Sequence, residues 1–583
     1  MDQERSLNPP VCNIVTPVGM LGYGLDEALS ASLITAVLPN GAPTAIILDS
    51  GSTDSGPEKL ALGCMTSPRT SYVRDLTKLV RLAWRFKVPL IFSSAGGDGS
   101  DEHVDEMVKI LQEICEENEH YKLKVIAIYS ELTKSFVYQR LQENAITGCG
   151  PPVPPLTAEL IDSAPRIASQ MGPEPFYDAM NATPDFNVLV GGRAYDPSPY
   201  VAYAAYASKT PLTDTATPEA KRLWGGFTHM GKILECGGSC ATPKCATVRA
   251  TVYQNGTFDL TPGESGTILI GQLDFVLKMI KQYVAQQHAG VKGTWDLDWH
   301  IYGQHQTTAD GQPAEVLLIG EALASTQELA NSVASTARIA TVHAPYPNQK
   351  ATSGNLAYGL GGKMESELGP CAQFSIYHLV GLEEGEERLK LSDTANALYW
   401  QRVVTIGRGA SQTPQQVSSA SVGAVNKTPV PPALLVSSAD TEYPASPKTL
   451  GDIARVLRSK NAGPYEITFD VMFANGSIFQ LVKSSGFLNA AAIAKLNGIG
   501  EDEVIWSGFF DQALAYKATI PRLWRGKPTA NGGFMESDVH GSQKYIGLLN
   551  MPLPKEFMGK WEELMANRRE DSGVDTPTTP VES

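Results

Sequence analysis

Two patterns alternate through the first part of the chain. Short aliphatic runs, "NIVTPV" (13–18), "TAIILD" (44–49), "VPLIFSS" (88–94), "LKVIAIYSE" (123–131) and "FNVLVGG" (186–192), read as buried strands. Between them "DEALSASLITAVL", "RDLTKLVRLAWRF", "VDEMVKILQEICEE" and "ELIDSAPRIASQMG" repeat their apolar positions at helical spacing. In the second of these Leu76, Leu79, Val80, Ala83 and Trp84 share one face. Strands alternating with helices of this length predict an α/β fold: a parallel sheet flanked by helices.

The rhythm changes after residue 245. "KCATVRATVYQNGTFDL" and "TWDLDWHIYGQHQ" alternate like strands, while "GTILIGQLDFVLKMIKQYVAQQH" and "TQELANSVASTARIATV" are amphipathic helices. This predicts an α/β domain over 11–245 with polar loops at its strand ends, and a second α+β region over 246–405. Residues 406–447 are rich in Ser, Pro, Ala, Thr and Val without a period and read as a linker. A small α+β domain is expected over 448–555, and the tail from 562 to 583 reads as disordered.

Composition narrows the class. The net charge of −15 and the lack of a basic stripe argue against a nucleic-acid partner. No run reaches the ~18 apolar residues of a membrane span, and "MDQERSLNPP" is not a signal peptide, so a cytoplasmic setting is expected. The eight cysteines form no framework, and the spacing Cys236, Cys240, Cys245 is not that of a structural zinc site.

The turns at the strand ends carry the chemistry. "TAIILD" runs into "SGSTDSG", "LIFSS" into "AGGDGSD", "VIAIY" into "SE", and "NVLVG" into "GRAYDPS". In a parallel sheet these turns lie together at the carboxyl edge, where ligands of open α/β sheets bind. Asp49, Asp54, Asp98 and Asp196 bring carboxylates there; Ser52, Thr53, Gly96 and Gly97 bring hydroxyls and close backbone approach. Arg193 brings a fixed cation able to grip a carboxylate. Further on, "THMGKILECGG" reads as a helix with His229, Lys232 and Cys236 on one stripe and Glu235 about 120° round from His229.

Other motifs fail. "GMLGYG" lacks dinucleotide spacing, "AYGLGGKM" lacks the first Gly and the Ser/Thr of a phosphate loop, and "PGESGT" lacks the last Gly of a nucleophile elbow. "WDLDWH" sets Asp296, Asp298 and His300 opposite Trp295, Leu297 and Trp299, which fits an exposed polar strand face better than a metal site.

Four stretches, "DSGSTDSGPEKLALG", "SSAGGDGSDEHVD", "VGGRAYDPS" and "GGFTHMGKILECGG", resemble the acyclic terpene utilisation (AtuA-like) family over roughly residues 12–395. "IARVLRSKNAGPYEITFDVMF", "DQALAYKATIPR" and "DVHGSQKY" are similar to a small companion domain of uncharacterised function, here fused to the first. The resemblance implies carboxylic acids or their coenzyme A thioesters as substrates. The residues are then expected to serve a hydratase/dehydratase-type lyase acting on a small di- or tricarboxylate or an acyl thioester. Arg193 would hold a carboxylate, and His229 or Lys232 would remove the adjacent proton. Asp49, Asp54 or Glu235 would protonate the leaving hydroxyl, or Asp49, Asp54 and Asp98 would hold a divalent cation such as Mg²⁺. Arg458, Lys460 and Asn461 of "LRSKNAGP" would add substrate contacts. The alternatives are a non-catalytic ligand-binding or scaffold subunit, and a hydrolase or isomerase using Cys236 as nucleophile. A homodimer is expected from size and class.

Overall fold

The computed structural model describes residues 9–52, 56–212, 217–237, 248–253, 258–262, 273–302, 317–324, 326–343, 374–391, 397–409, 443–444, 446–524, 526–531 and 538–571. Two compact units result. The larger comprises 1–409, 463–465 and 522–540; the smaller comprises 410–462, 466–521 and 541–583.

The larger unit is built on an eight-stranded sheet. Its strands are β1 (Pro10–Thr16), β2 (Thr44–Leu48), β3 (Leu90–Phe92), β4 (Leu123–Tyr129), β6 (Val188–Gly191), β7 (Val248–Tyr253), β8 (Phe258–Pro262) and β12 (Trp400–Ile406). The order is β12-β4-β6-β3-β2-β1-β7-β8. Strands β1, β2, β3, β6 and β4 run parallel, and β7, β8 and β12 pair antiparallel at the two edges. The sheet therefore draws strands from both sides of residue 245. Of the remaining strands, β5 (Ile146–Gly148) pairs with β11 (His378–Val380), and β9 (Trp295–Tyr302) with β10 (Leu317–Ala324).

Alternation along each strand feeds two cores. Val15, Ile46, Leu48, Leu90, Phe92, Val125, Ala127, Val188 and Val190 face the helices Glu27–Val37, Arg69–Phe86 and Asp101–Glu117. Ile14, Ala45, Ile47, Ile91, Ile126, Ile128 and Leu189 face the helices Glu174–Ala182, Ser198–Ser208 and Pro218–Leu234. The chain steps outward through β1, β2 and β3, jumps a place to β4, and returns to fill the gap with β6. The right-handedness of crossovers sends the return helix, Glu174–Ala182, to the opposite face. The segments leaving β3 and β6 thus diverge to opposite faces, making a topological switch point between neighbouring strands.

Two elements differ from the periodicity. "ELIDSAPRIASQMG" forms a helix only over Ala158–Ser163, because Ala164 is extended ahead of Pro165. The second α+β region holds the β9–β10 pair against the helices Leu273–Gln287 and Gln327–His343, with Leu297 buried and Trp295 and Trp299 packed on that core. The side chains of Asp296, Asp298 and His300 lie outside the described set.

The smaller unit is a four-stranded antiparallel sheet. Its order is β13 (Val456–Asn461), β14 (Glu466–Met472), β16 (Ala515–Pro521) and β15 (Trp506–Phe510). Helices Gly476–Ser485, Ala490–Asn497 and Lys555–Asp571 contribute to its core, so helix continues into the segment read as tail. Among the described residues no helix is long and apolar enough to cross a membrane.

Candidate functional site

The loops after β2, β3 and β6 are tied together at the carboxyl edge. Ser50 Oγ lies 2.6 Å from Ser93 O and 2.7 Å from Ser94 O, and donates to them. Ser94 N donates to Gly192 O at 2.9 Å, and Arg193 N to Gly99 O at 3.0 Å. Ser94 holds a left-handed φ of 52°, unusual for a residue with a side chain. These contacts close the switch point over its own backbone. Gly96 and Gly97 are both buried; a side chain at Gly96 would meet the His103 ring at 2.7 Å, and one at Gly97 would strike Thr66. The glycines are accounted for by loop packing against protein.

Gly99 shows the constraint most sharply. Its φ is 75°, and a side chain there would run into the backbone of Arg193. Gly99→Ala is expected to lose roughly 2–5 kcal/mol, combining left-handed strain with overpacking. Urea denaturation measures it, and a loss under about 1 kcal/mol would show that the loops do not depend on this approach.

Five acid–base groups converge beside this layer. Asp49, the first residue after β2, is 2% exposed and accepts from Ser93 Oγ at 2.9 Å. Burial, followed by the charge of Asp196, raises its carboxyl to about 7, while Arg193 and the Gly51 amide pull the other way and Glu235 adds to the rise. The helix Pro218–Leu234 delivers Lys232 and, as its C-cap, Glu235. Lys232 Nζ donates to Asp196 Oδ2 at 2.9 Å and to Glu235 Oε1 at 2.7 Å. Burial works to lower the Lys232 ammonium, but Glu235 and Asp196 outweigh it and raise it, so Lys232 stays charged. Burial and Asp196 raise Glu235 against the opposing pull of Lys232.

Cys236 follows the C-cap Glu235, whose backbone is still helical, and its thiol feels the charge of Lys232. The residue is exposed by area, yet its thiol is desolvated and hydrogen-bonded to Glu235, and both effects push its ionisation up. A nucleophilic cysteine needs the opposite direction. His229 is exposed on the same helix.

Arg193 reaches back under the β2 loop. Its Nη1 is sealed from solvent without a hydrogen-bond partner, and a side chain at Gly51 would meet it at 2.6 Å. Asp98 lies in the β3 loop, where Oδ1 takes His103 Nδ1 at 2.7 Å, Ser100 N at 3.1 Å and Ser100 Oγ at 3.2 Å. Its Oδ2 is buried without a partner.

The structure thus brings together Asp49, Arg193, Asp196, Lys232, Glu235 and Cys236. Ser52 is half-buried, its amide donating to Gly97 O at 3.3 Å. Thr53 and Asp54 lie outside the described residues. Among the described residues no group of three or more His, Cys, Asp or Glu is placed to hold a metal ion. Arg458, Lys460 and Asn461 lie on β13 of the smaller unit, where Arg458 Nε donates to Asp470 Oδ2 at 2.8 Å. Ser93, Ser94 and His103 were not singled out from the sequence. Ser93 and Ser94 are the two residues after β3, which is the signal that could have found them.

A cavity of about 590 Å³ lies at the other end of the sheet, where β2, β4 and β6 begin, among Thr44, Trp84, Leu123, Phe186, Val188 and Tyr203. No carboxylate, His or Cys lines it. Its titratable side chains are Lys87, Tyr203 and Tyr206, whereas the carboxyl edge gathers carboxylates, a lysine and an arginine, so that edge is the better candidate for acid–base chemistry.

No curated protein and no solved structure matches the chain. Residues 450–552, which hold β13 to β16, match the model of the family described as Domain of unknown function (DUF4387).

Proposed function

We propose that the larger unit is an acid–base enzyme: a lyase of the hydratase/dehydratase kind acting on a small carboxylic acid or acyl thioester. The resemblance to the acyclic terpene utilisation family points to the same substrate class. The observation that carries the reading is Asp49, a buried carboxyl held against Ser93 and within reach of the Arg193 charge, which burial and Asp196 push up to about 7. A group near the working pH is the best compromise between holding and releasing a proton.

In the proposed reaction Arg193 pairs with a substrate carboxylate. Ionised Asp49 takes the proton from the adjacent carbon, and that C–H pair forms the new double bond. Glu235, its acidity lowered by burial and the charge of Asp196, gives its proton to the departing hydroxyl, which leaves as water. Run backwards, the same steps hydrate the double bond. Lys232 is held cationic between Asp196 and Glu235 and so serves to position them, rather than as the base. Side chains alone carry these steps, and a divalent cation such as Mg²⁺ has no assigned ligands in them.

Thermal shift against small mono-, di- and tricarboxylates and acyl thioesters tests the reading. A ligand binding the folded state raises its melting temperature by mass action. A shift by one of these acids, reduced at least about tenfold in apparent affinity by Arg193→Gln, is expected. A shift of the same size in that variant would sink the assignment of Arg193, and no shift with any acid or thioester would sink the substrate class.

A further inference from the structure

The C-terminal family segment carries chemistry that the acid–base cluster does not use. Strand register sets Arg458, Asp470, Lys517 and Gly508 side by side across β13, β14, β16 and β15. The buried core residues Leu457, Phe469, Val471, Tyr516 and Ala518 alternate with them, so this row lies on the face turned away from the core. Asp470 accepts from Arg458 Nε at 2.8 Å and Lys517 Nζ at 3.4 Å, and Lys460 also acts on its charge. Arg458, Lys517 and Lys460 gather round this carboxylate, with Glu466 four residues back on the same face of β14.

Trp506 and Phe510 flank Gly508 on the same face, 42% and 43% exposed, with ring centroids 5.1 Å apart. A side chain at Gly508 would meet the Trp506 ring at 2.8 Å, so the glycine lets that ring lie across the strand. Thr468 and Thr519 are buried while Met472 is exposed, which fixes the open approach on the Phe510 side. At ~4.8 Å per strand, about 14 Å separates the aromatic strand from the strand of Arg458, with Lys517 between them. A planar ring at one end and an anion at the other would match both ends of this strip.

We propose that this sheet face binds a nucleotide, its base stacked on Trp506 and Phe510 and its phosphates paired with Lys517 and Arg458. Base–aromatic stacking tolerates any base, so the face recognises the nucleotide class rather than one base. Its phosphate contacts weaken with added salt.

Isothermal titration of the full chain with ADP, adenosine and inorganic pyrophosphate is the test. ADP is expected to bind saturably. Trp506→Ala should weaken ADP and adenosine by at least about fivefold and pyrophosphate little. Lys517→Ala should weaken ADP and pyrophosphate, with a smaller salt dependence, and adenosine little. Trp506 is exposed and Lys517 half-buried on the outer face, so the variants are expected to fold, and Phe510→Ala gives a second probe of the stack. Absence of ADP binding up to about 5 mM, or binding indifferent to all three variants, would overturn the proposal. So would a concentration-dependent dimer that Trp506→Ala abolishes while ADP has no effect, because β15 would then be the seat of a second copy.

Discussion

Asp49→Asn is expected to lower turnover by at least about 10²-fold and, at pH 8, to make the fold more stable than the unchanged chain. The two effects share one cause. Burial and Asp196 raise this carboxyl from its ordinary 3.8 to about 7, so the folded state keeps a proton that the unfolded chain has released. Unfolding free energy therefore falls as pH rises through the window between those values, and the loss is complete above about 7. Three units set an upper bound of about 4 kcal/mol, and sharing of the charge with Asp196 and Glu235 brings the expected loss to the order of 1–4 kcal/mol. Asn cannot ionise, so the variant should lack this slope while still accepting from Ser93. Urea denaturation at pH 5 and pH 8 reads it directly; an unchanged slope would mean that Asp49 is not the buried acid. Loss of general acid–base catalysis should lower turnover about 10²- to 10⁴-fold, and a change under about threefold would remove Asp49 from the mechanism.

Trp561→Ala is expected to cost the smaller unit about 3–5 kcal/mol, which is a large share of the stability of a domain this size. Trp561 is fully buried in the helix Lys555–Asp571, stacked on Phe557 at 6.1 Å and edge-on to Tyr443 at 5.9 Å. Removing the indole leaves a cavity in a core shared with Phe469, Phe479 and Leu548. Denaturation followed by near-ultraviolet circular dichroism should show the smaller unit unfolding at lower urea, with the larger unit's transition unmoved. A loss under about 1 kcal/mol would mean that the helix is an appendage, as the tail's polar composition suggests.

That helix illustrates what composition hides. "KEFMGKWEELMANRRED" carries so many charges that its segment past 562 reads as disordered, yet Phe557 and Trp561 lie one turn apart and anchor it. Two large aromatics can outweigh a polar average because burial acts per side chain.

By itself the sequence determined the parallel core of β1, β2, β3, β4 and β6, because apolar runs of strand length between amphipathic helices admit few other arrangements. It also placed the polar residues at the strand ends, since each turn directly follows its strand. Only the tertiary structure decided which strands close the sheet, as β12 pairs with β4 and β7 with β1 across separations that local periodicity does not record. It alone decided that Lys232 is held between Asp196 and Glu235 and that Asp49 lies dry beside them. A side chain's charge is written in the sequence, but its acidity follows from the distance to other charges and from the exclusion of water, and both are fixed by packing between distant segments.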